Sequence, residues 1–463
     1  MASDHFPGRG GPRLPSRHLS RWRTALTQRL RASAISRLLT LDTSGIKLGL
    51  DNISGLCTAL GHPERTFTTL HVAGTNGKGS VTAMVHAALV AAGVRASRYI
   101  SPHLVDLAER FVIESAPPDP DSLNDVARDV LDCADALRGT DGLPMRPTFF
   151  ETTTAIAFEL FRRAHVDVAV IEVGLGGRFD ATNVIAPVAG AITSIGLDHQ
   201  QWLGQTIKAI AFEKAGIIKP GMDVVIGALS DEARHVVRDV AGAQRAQIID
   251  AFDGTHITRD PENTRDTLLI ETTNDRYGPL SLALRGEHQV GNALVAIRLL
   301  EAAGRRGVRV TRDAIERGLT GVDWPGRLEL ISLQDGRQVV LDAAHNVEGA
   351  QSLAAHLGRR YPERPALVIG VMRDKDVEGI LGALLPVVSS IVTTAANTSR
   401  AIPADELAAR IIANGPSMPV HAEPSPRQAV ENALANRGAV CVAGSLLVVG
   451  EVREGLKHHA ILR

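Results

Sequence analysis

Residues 69–82 are T-L-H-V-A-G-T-N-G-K-G-S-V-T, an apolar run, then a glycine-rich turn, then the start of an alanine-rich stretch. In this order of strand, loop and helix, Gly77 and Gly79 let backbone N–H groups approach phosphate oxygens without a Cβ in the way. The positive end of the helix dipole faces the same position, and Lys78 can reach a β- or γ-phosphate. The stretch therefore predicts a nucleotide phosphate site made by Gly74, Thr75, Asn76, Gly77, Lys78, Gly79 and Ser80.

The loop departs from the usual phosphate-loop pattern at two positions. Val72 stands where that pattern has its first glycine, and Gly79 rather than a hydroxyl residue follows Lys78. A glycine-rich turn without a ligand is the alternative interpretation. The strand before the loop and the helix after it favour the phosphate site.

Outward from the loop, short β-branched runs alternate with Ala- and Leu-rich stretches of helical period. This alternation is typical of an α/β fold with a mainly parallel sheet. The sequence predicts strands at 69–73, 97–100, 166–173, 190–195 and 223–226, and helices at 79–92, 152–164 and 206–215.

The pattern changes in the middle of the chain and then restarts. Residues 250–285 contain shorter strand-like runs among polar turns, which indicates an antiparallel edge, and a helix is predicted at 291–303. A Pro-Gly turn signal at 325–326 separates this part from a second α/β region, so we place a domain boundary between 323 and 324. Strands of the second region are predicted at 338–341, 365–369, 391–394 and 439–443.

Composition excludes several classes of protein. The chain has 50 Lys and Arg against 51 Asp and Glu, and aromatic residues make up 3% of it, which disfavours nucleic-acid binding. No apolar run reaches the roughly 18 residues that a membrane span needs. The cysteines are far apart and predict buried free thiols, so we expect a cytoplasmic protein without membrane or nucleic-acid partners.

The N-terminal segment is the one strongly biased part of the chain. Residues 1–37 contain eight arginines and a single acidic residue, Asp4. This predicts a disordered basic lead over residues 1–28 that runs into a first helix. A transit peptide, which is also Arg-rich and acid-poor, is the alternative.

Polar residues follow three of the predicted strands. Ser101 comes directly after one strand, Glu172 lies at the end of another, and His199 follows a third. Ligands of open α/β sheets bind outside the carboxyl ends of the strands, so these side chains should converge near Lys78. A hydroxyl, a carboxylate and an imidazole could share Mg²⁺ with nucleotide phosphates, although an isolated histidine is more often a hydrogen-bonding partner.

Lys214 lies in a largely apolar helical turn, A-F-E-K-A-G-I-I-K. A partly buried lysine usually pairs with a carboxylate, and Glu213 or Asp198 could supply it. The alternative is a deprotonated lysine that is chemically modified.

Several motifs together resemble the folylpolyglutamate synthase and dihydrofolate synthase family of the Mur ligase superfamily. They occur in the family's order over residues 40–455, so their combination is far more specific than any one of them. The motifs are H-V-A-G-T-N-G-K-G-S, Y-I-S-P-H-L, V-G-L-G-G-R-F-D-A-T-N, L-D-H-Q-Q-W-L-G, E-K-A-G-I-I-K-P-G, W-P-G-R, L-D-A-A-H-N, M-R-D-K-D and V-A-G-S.

The resemblance implies a fold and a reaction. The expected fold is a P-loop ATPase domain over 29–323 and a smaller Rossmann-like domain over 324–463, with the active site between them. The expected enzyme is an ATP-dependent ligase that joins L-glutamate to dihydropteroate or to tetrahydrofolates through an acyl phosphate. Expected cofactors are ATP, two Mg²⁺ ions and a carbamate on Lys214, and the expected state is a monomer.

The resemblance also implies roles for individual residues. Ser101 and Glu172 match ligands of a first Mg²⁺, and Glu172 and His199 flank a second. Lys78, Lys214 and His345 are the implied catalytic residues. ATP would also be held by Asn292, Arg327 and Asp342. The pterin would be contacted by Thr148, Phe149, Phe150, Arg178 and Asp180, and the incoming glutamate by His345 and Ser445.

Other functions remain open at this level. A peptidoglycan Mur ligase would carry a UDP-binding domain ahead of the loop, where this chain has 73 residues. A P-loop NTPase acting as a switch or motor would hydrolyse ATP without glutamate and leave L-D-A-A-H-N without a role. A non-catalytic folate-binding protein would have no need of Lys78, Glu172, His199 and Lys214.

Overall fold

Two sheets, one in each half of the chain, carry the fold. The computed structural model describes residues 33–41, 48–139, 142–143, 145–259, 267–413, 415, 418–435 and 438–456. The predicted basic lead, 1–28, lies outside the described residues.

The first sheet has the phosphate-binding loop at its centre. Its strands are β1 (Thr68–Ala73), β2 (Ala96–Tyr99), β3 (Phe111–Ile113), β4 (Val168–Glu172), β5 (Ala189–Ser194), β6 (Asp223–Ala228) and β7 (Gln247–Asp250). They lie in the order β3-β2-β4-β1-β5-β6-β7, and every pair is parallel except β2 with β3. The carboxyl end of β1 therefore lies between those of β4 and β5, so the loops after these three strands meet at one edge of the sheet.

Helices cover both faces of this sheet, which is why its central strands β1, β4 and β5 are almost wholly buried. Apolar cores lie on the two sides of the sheet. The helices of this half are α1 (Ala34–Leu39), α2 (Asp51–Ala59), α3 (Lys78–Ala91), α4 (Pro120–Gly139), α5 (Phe149–Arg163), α6 (Gln200–Leu203), α7 (Ile207–Ala215), α8 (Asp231–Ala243), α9 (Glu287–Arg305) and α10 (Arg312–Gly321).

A small antiparallel sheet precedes α9. It consists of β8 (His256–Arg259), β9 (Leu268–Glu271) and β10 (Arg276–Leu280), in the order β10-β9-β8. The antiparallel pairing predicted for 250–285 is confirmed. These strands form a sheet of their own, however, and are not an edge of the first sheet.

The second half of the chain forms a sheet with its own core. Its strands are β11 (Glu329–Ser332), β12 (Gln338–Leu341), β13 (Ala366–Ile369), β14 (Ser390–Thr393), β15 (Val420–Ala422) and β16 (Ala439–Ala443). The order is β11-β12-β16-β13-β14-β15, parallel except for β11 with β12. Its helices are α11 (Val347–Arg360), α12 (Val377–Leu384), α13 (Ala404–Ala413), α14 (Pro426–Ala435) and α15 (Leu446–Leu456).

The predicted fold class, α/β with mainly parallel sheets, is confirmed. The predicted strands all exist with bounds that differ by at most two residues, and the helix predicted at 291–303 is longer, Glu287–Arg305. Cys57 and Cys441 are buried as predicted, whereas Cys133 is partly exposed. Among the described helices, none is long and apolar enough to cross a membrane.

Candidate active site

The glycine-rich loop joins the end of β1 to the start of α3, as the sequence predicted. Gly77 caps the helix with a positive φ of 86°, a conformation that favours glycine. A Cβ at Gly77 would lie 2.4 Å from Oδ1 of Asn292, so α9 also excludes a side chain there. The loop is therefore shaped by its backbone and by the helix that faces it.

Lys78 folds back over its own loop. Its Nζ donates to the carbonyl oxygens of Gly74 at 3.0 Å and Thr75 at 3.1 Å. The loop is fixed to β5, because the N–H of Thr75 donates to the Ser194 carbonyl and that of Asn76 to the Ser194 hydroxyl. An ammonium group held this way is ready to bind phosphate oxygens above the loop.

A cavity of about 610 Å³ lies above the loop, between the two sheets. Both halves of the chain line it, and its lining contains every residue predicted to be catalytic or to bind nucleotide or metal. These are Gly74, Thr75, Asn76, Gly77, Lys78, Gly79, Ser80, Ser101, Glu172, His199, Lys214, Asn292, Arg327, Asp342 and His345.

Glu172 is a carboxylate buried at the end of β4, beside the end of β1. The Ser101 N–H approaches its Oε2 at 3.4 Å, while Oγ of Ser101 is buried without a hydrogen-bond partner among the described residues. Burial raises the pKa of Glu172 to about 7, although the nearby Lys78 opposes this shift. A buried carboxylate beside an unsatisfied hydroxyl is costly unless a cation completes the site.

Lys214 is buried, and its partner differs from the one we expected. Its Nζ donates to the Gly74 carbonyl at 2.8 Å, the same oxygen that Lys78 uses. Neither expected carboxylate pairs with it, because Glu213 binds Arg178 and Asp198 binds Lys375, both at 2.6 Å. Burial, with the positive charge of Lys78 as the next cause, lowers the pKa of Lys214 to about 7.

His199 begins α6 in a left-handed conformation, with φ of 51°. Its Nε2 lies 3.9 Å from Oδ2 of Asp198. Burial lowers the pKa of His199 to about 4, partly offset by Asp198, so the ring is neutral near pH 7. A neutral imidazole is the form that binds metal ions.

The second sheet contributes three predicted residues from the end of β12 and the turn before β11. Asp342 accepts the N–H groups of Leu328 and Ala344, both at 2.9 Å, and thereby fixes the segment that carries Arg327. Burial raises the pKa of Asp342, and Arg327 opposes that shift. Nδ1 of His345 lies 2.9 Å from the Ala343 carbonyl and donates to it, which leaves Nε2 facing Asp198 at 3.9 Å.

Side chains from the two halves of the chain bind each other directly at the cavity. Asn346, the N-cap of α11, donates to Oδ1 of Asn76 at 3.0 Å and lies 3.3 Å from Asp198. Asn76 in turn donates to Glu348 at 2.9 Å. Asp198 also binds Lys375 of the second half, and His199, Lys375 and His345 hold its pKa well below the usual range despite burial.

Sequence reasoning missed these connecting residues. Asn346 and Lys375 lie within motifs that were recognised, L-D-A-A-H-N and M-R-D-K-D, but no role was assigned to them. Gln289 was also missed: it donates to Ser80 at 3.2 Å and accepts from Asn292 at 2.9 Å. The polar residue three positions before Asn292 on the same helix face was the available signal.

Comparison with known proteins decides the family. Residues 126–300 match the Mur ligase middle domain, and 326–446 match the glutamate ligase domain of Mur ligases. The dihydrofolate synthase/folylpolyglutamate synthase of Bacillus subtilis is 33% identical over 423 residues, which are 89% of this chain and 96% of that protein. The chain belongs to the dihydrofolate synthase/folylpolyglutamate synthase family.

Solved structures of this family have the same fold. Mycobacterium tuberculosis folylpolyglutamate synthase, complexed with ADP and AMPPCP, is 33% identical, with a TM-score of 0.84 over 92% of this chain and 99% of that one. A bifunctional folylpolyglutamate synthase/dihydrofolate synthase with Mn, AMPPNP and L-glutamate bound is 28% identical, with a TM-score of 0.79 over 92% and 98%. The expected class of enzyme, an ATP-dependent ligase, is thereby confirmed, as are ATP and a divalent metal as cofactors.

The residues present fit a divalent cation in this family's site. Ser101 and Glu172 offer an unsatisfied hydroxyl and a buried carboxylate, and His199 offers a neutral imidazole. Among the described residues, no three His, Cys, Asp or Glu side chains form a metal cluster by themselves. A cation here would therefore take its remaining ligands from phosphate oxygens and water.

Apart from His345, the residues predicted to contact the pterin or the glutamate lie outside the cavity lining. Thr148 caps α5 and forms a capping box with Glu151, and Phe149 is buried in the core. Phe150 packs against Gly174, where a Cβ would lie 2.4 Å from its ring. Residues 174–176 line the cavity, so the ring of Phe150 lies directly behind this part of the lining.

The other predicted substrate residues are engaged with neighbours. The Arg178 guanidinium lies between Phe179 and Phe212, at 4.3 and 4.9 Å from the ring centres. Asp180 is buried and accepts the Leu175 N–H at 2.8 Å. Ser445 is buried before α15 and accepts the Leu447 N–H at 3.2 Å.

Proposed function

We propose that this enzyme joins the amine of L-glutamate to the carboxylate of dihydropteroate, of a tetrahydrofolate polyglutamate, or of both, and releases ADP and phosphate. One observation carries the proposal. A single cavity combines the phosphate loop, the buried Glu172 with Ser101, and the Asp342 and Arg327 pair from the opposite sheet.

In the proposed first step, the substrate carboxylate attacks the γ-phosphate of ATP, forming an acyl phosphate and ADP. The contribution of the chain is mainly positioning and charge stabilisation. Lys78 is placed at the loop to bind the β- and γ-phosphates. Arg327 approaches from the second sheet and neutralises the same charge, so productive binding requires both halves of the chain to be together.

In the proposed second step, the glutamate amine attacks the acyl carbon and phosphate leaves. His345 and Ser445 orient the glutamate. Because burial lowers the pKa of His345 to about 4, its ring is neutral near pH 7, and its free Nε2 can accept a hydrogen bond from the amine.

Two further groups belong to the proposal. Ser101 and Glu172 would hold one Mg²⁺, and Glu172 and His199 a second; bound there, Mg²⁺ supplies charge neutralisation at the transferring phosphoryl group. Lys214 would be carbamylated, and its buried, readily deprotonated amine supports this assignment. Thr148, Phe149, Phe150, Arg178 and Asp180 would contact the pterin.

We also propose a domain boundary at 323/324, a monomeric state and a cytoplasmic location. The boundary lies in the connection between α10, which ends at Gly321, and β11, which begins at Glu329.

Product analysis tests the proposed reaction. The enzyme is incubated with ATP, Mg²⁺ and L-glutamate and with either 7,8-dihydropteroate or tetrahydrofolate, and the products are resolved by mass spectrometry. We expect a mass increase of one glutamyl residue on at least one substrate. Transfer of label from an ¹⁸O-carboxylate substrate to inorganic phosphate is expected as well, and unlabelled phosphate would contradict the acyl phosphate.

A further inference from the structure

His71 is a buried histidine that the proposed mechanism does not use. It lies in the middle of β1, where it pairs with Ile171 on one side and Gly190 on the other, and its side chain is fully buried. Its Nε2 lies 2.9 Å from Oγ1 of Thr182. Its Nδ1 is buried without a partner among the described residues. A polar side chain at this depth is costly unless its one contact matters to the fold or to function.

The direction of the hydrogen bonds follows from the neighbour of Thr182. Oγ1 of Thr182 donates to Oδ1 of Asp180 at 2.5 Å. Burial raises the pKa of Asp180, but this hydroxyl and the backbone N–H groups of Leu175, Thr182 and Gly174 oppose that shift, as donors to a carboxylate do. Oγ1 of Thr182 must then accept from His71, which places the ring proton on Nε2. Burial, assisted by Lys219, lowers the pKa of His71 to about 3, consistent with this neutral form.

The chain His71–Thr182–Asp180 ends on a wall of the cavity. Oδ1 of Asp180 also accepts the Thr182 N–H at 3.0 Å, and Oδ2 accepts the Leu175 N–H at 2.8 Å. We call residues 174–180 the substrate loop. Asp180, at the end of this loop, is therefore hydrogen-bonded to Leu175 near its start. Leu175 lines the cavity, and Gly174 contacts the ring of Phe150.

We infer that His71 is a positioning residue for the pterin substrate, acting through Thr182 on Asp180 and the substrate loop. The inference rests on the proposed function, in which Asp180 and Phe150 contact the pterin. When His71 donates to it, the Thr182 hydroxyl has one orientation, and the carboxylate oxygens of Asp180 stay hydrogen-bonded to the loop. Without that donor, Oγ1 of Thr182 keeps only its hydrogen bond to Asp180 and is no longer held from the side of β1, so Asp180 and the substrate loop are held less firmly beside the substrate.

Three variants test the inference. His71→Phe removes the donor and keeps an aromatic side chain, His71→Gln keeps an N–H near the position of Nε2, and Thr182→Val removes the hydroxyl at constant shape. We expect His71→Phe and Thr182→Val to raise KM for the pterin substrate about 10-fold, as the loss of one buried hydrogen bond would. KM for ATP and kcat should stay near the wild-type values, and His71→Gln should restore most of the affinity.

The double variant and a matched control separate this role from general stability. Because both groups act in one chain, adding His71→Phe to Thr182→Val should raise KM no further. Thr394→Val is the control: its hydroxyl is equally buried and donates to the Pro424 carbonyl at 3.2 Å, but it lies directly after β14, in the second half of the chain. It should lower thermal stability without changing KM for the pterin.

Equilibrium binding of 7,8-dihydropteroate in the absence of glutamate gives a second readout. Weaker binding to His71→Phe, restored in His71→Gln, is the expected result. Equal changes in KM for ATP and pterin, or a loss of stability with no change in either, would overturn the positioning role. If His71→Phe does not fold, Thr182→Val alone decides. If the wild-type enzyme neither binds nor ligates a pterin, the proposed function fails first.

Discussion

At the scale of residues, two lysines share one acceptor. The Nζ atoms of Lys78 and Lys214 lie 3.0 and 2.8 Å from the Gly74 carbonyl oxygen. Two ammonium groups at one oxygen repel each other, and burial of Lys214 adds to the cost of charging it. Lys214 is therefore the one that gives up its proton, while Lys78 is the lysine that we propose binds the phosphates.

Lys78→Ala should lower kcat by at least about 100-fold, the usual effect of removing one charge-stabilising donor. The fold should persist, because Lys78 donates to two carbonyls of its own loop and to no distant element among the described residues. Steady-state turnover and a thermal melt measure the two effects. Lys208→Ala, at an exposed position of α7, is the control. Comparable turnover by both variants would contradict the role of Lys78 in phosphate binding.

Lys214 should carry a carbamate that forms more readily as the pH rises through 7. Only the uncharged amine attacks CO₂, and a pKa lowered to about 7 makes that form dominant above this pH. Enzyme equilibrated with ¹³C-bicarbonate should show a carbamate signal in ¹³C NMR, and Lys214→Ala should lack it. The variant should be inactive and partly rescued by short carboxylic acids; full activity without them would exclude the carbamate role.

At the scale of elements, helix α15 of the second sheet packs against the loop that follows Ser101. A Cβ at Gly450 would lie 2.1 Å from the Leu104 carbonyl oxygen and 3.1 Å from its carbon. The atoms that the added Cβ would meet belong to the backbone of Leu104, and a backbone cannot move aside as a flexible side chain can. The contact holds the two halves of the chain together beside the expected metal site.

Gly450→Ala should push α15 and the loop at Leu104 apart and lower kcat about 10-fold or more. A shift of about 1 Å in the position of reacting groups lowers the rate by at least that factor. KM for ATP should rise as well, because Arg327 and Asp342 line the nucleotide cavity from the second half of the chain. Gly382→Ala in α12, with no atom within 4 Å of the added Cβ, is the control. Equal kcat for both variants would show that this contact does not set the active geometry.

The elements that sequence predicted are those with strong local signals. The strand at Thr68–Ala73 and the helix at Lys78–Ala91 have apolar patterns and a glycine turn between them. The missed strands are short strands at the edges of the two large sheets, and each exists only because it pairs with one neighbouring strand: Phe111–Ile113, Gln247–Asp250, Glu329–Ser332 and Val420–Ala422. Local patterns do not contain that information.

At the scale of the whole molecule, the cavity is completed by pairs that join distant residues. Asp198 binds Lys375, and Asn76 binds Glu348, across separations of 177 and 272 residues. Sequence predicted the polar residues at strand ends because parallel strands bring them to one edge. Of the two interpretations of Lys214, the one with a carboxylate partner is wrong, because the Gly74 carbonyl becomes its neighbour only when β1 and α7 are packed.

These cross-sheet pairs make the site depend on the assembly of both halves. Arg327 and Asp342 come from the second sheet, whereas Lys78 and Glu172 come from the first. In a switch or motor NTPase, ATP cleavage would not depend on a pterin and a glutamate bound between the two sheets. Coupling of ATP cleavage to both substrates is therefore the central claim.

ADP release is the measurement that tests this claim most directly. ADP is followed with ATP, Mg²⁺ and L-glutamate, with and without 7,8-dihydropteroate or tetrahydrofolate. We expect steady release only when glutamate and at least one of the pterins are both present. ADP released at the same rate without any pterin would contradict the ligase and identify an NTPase.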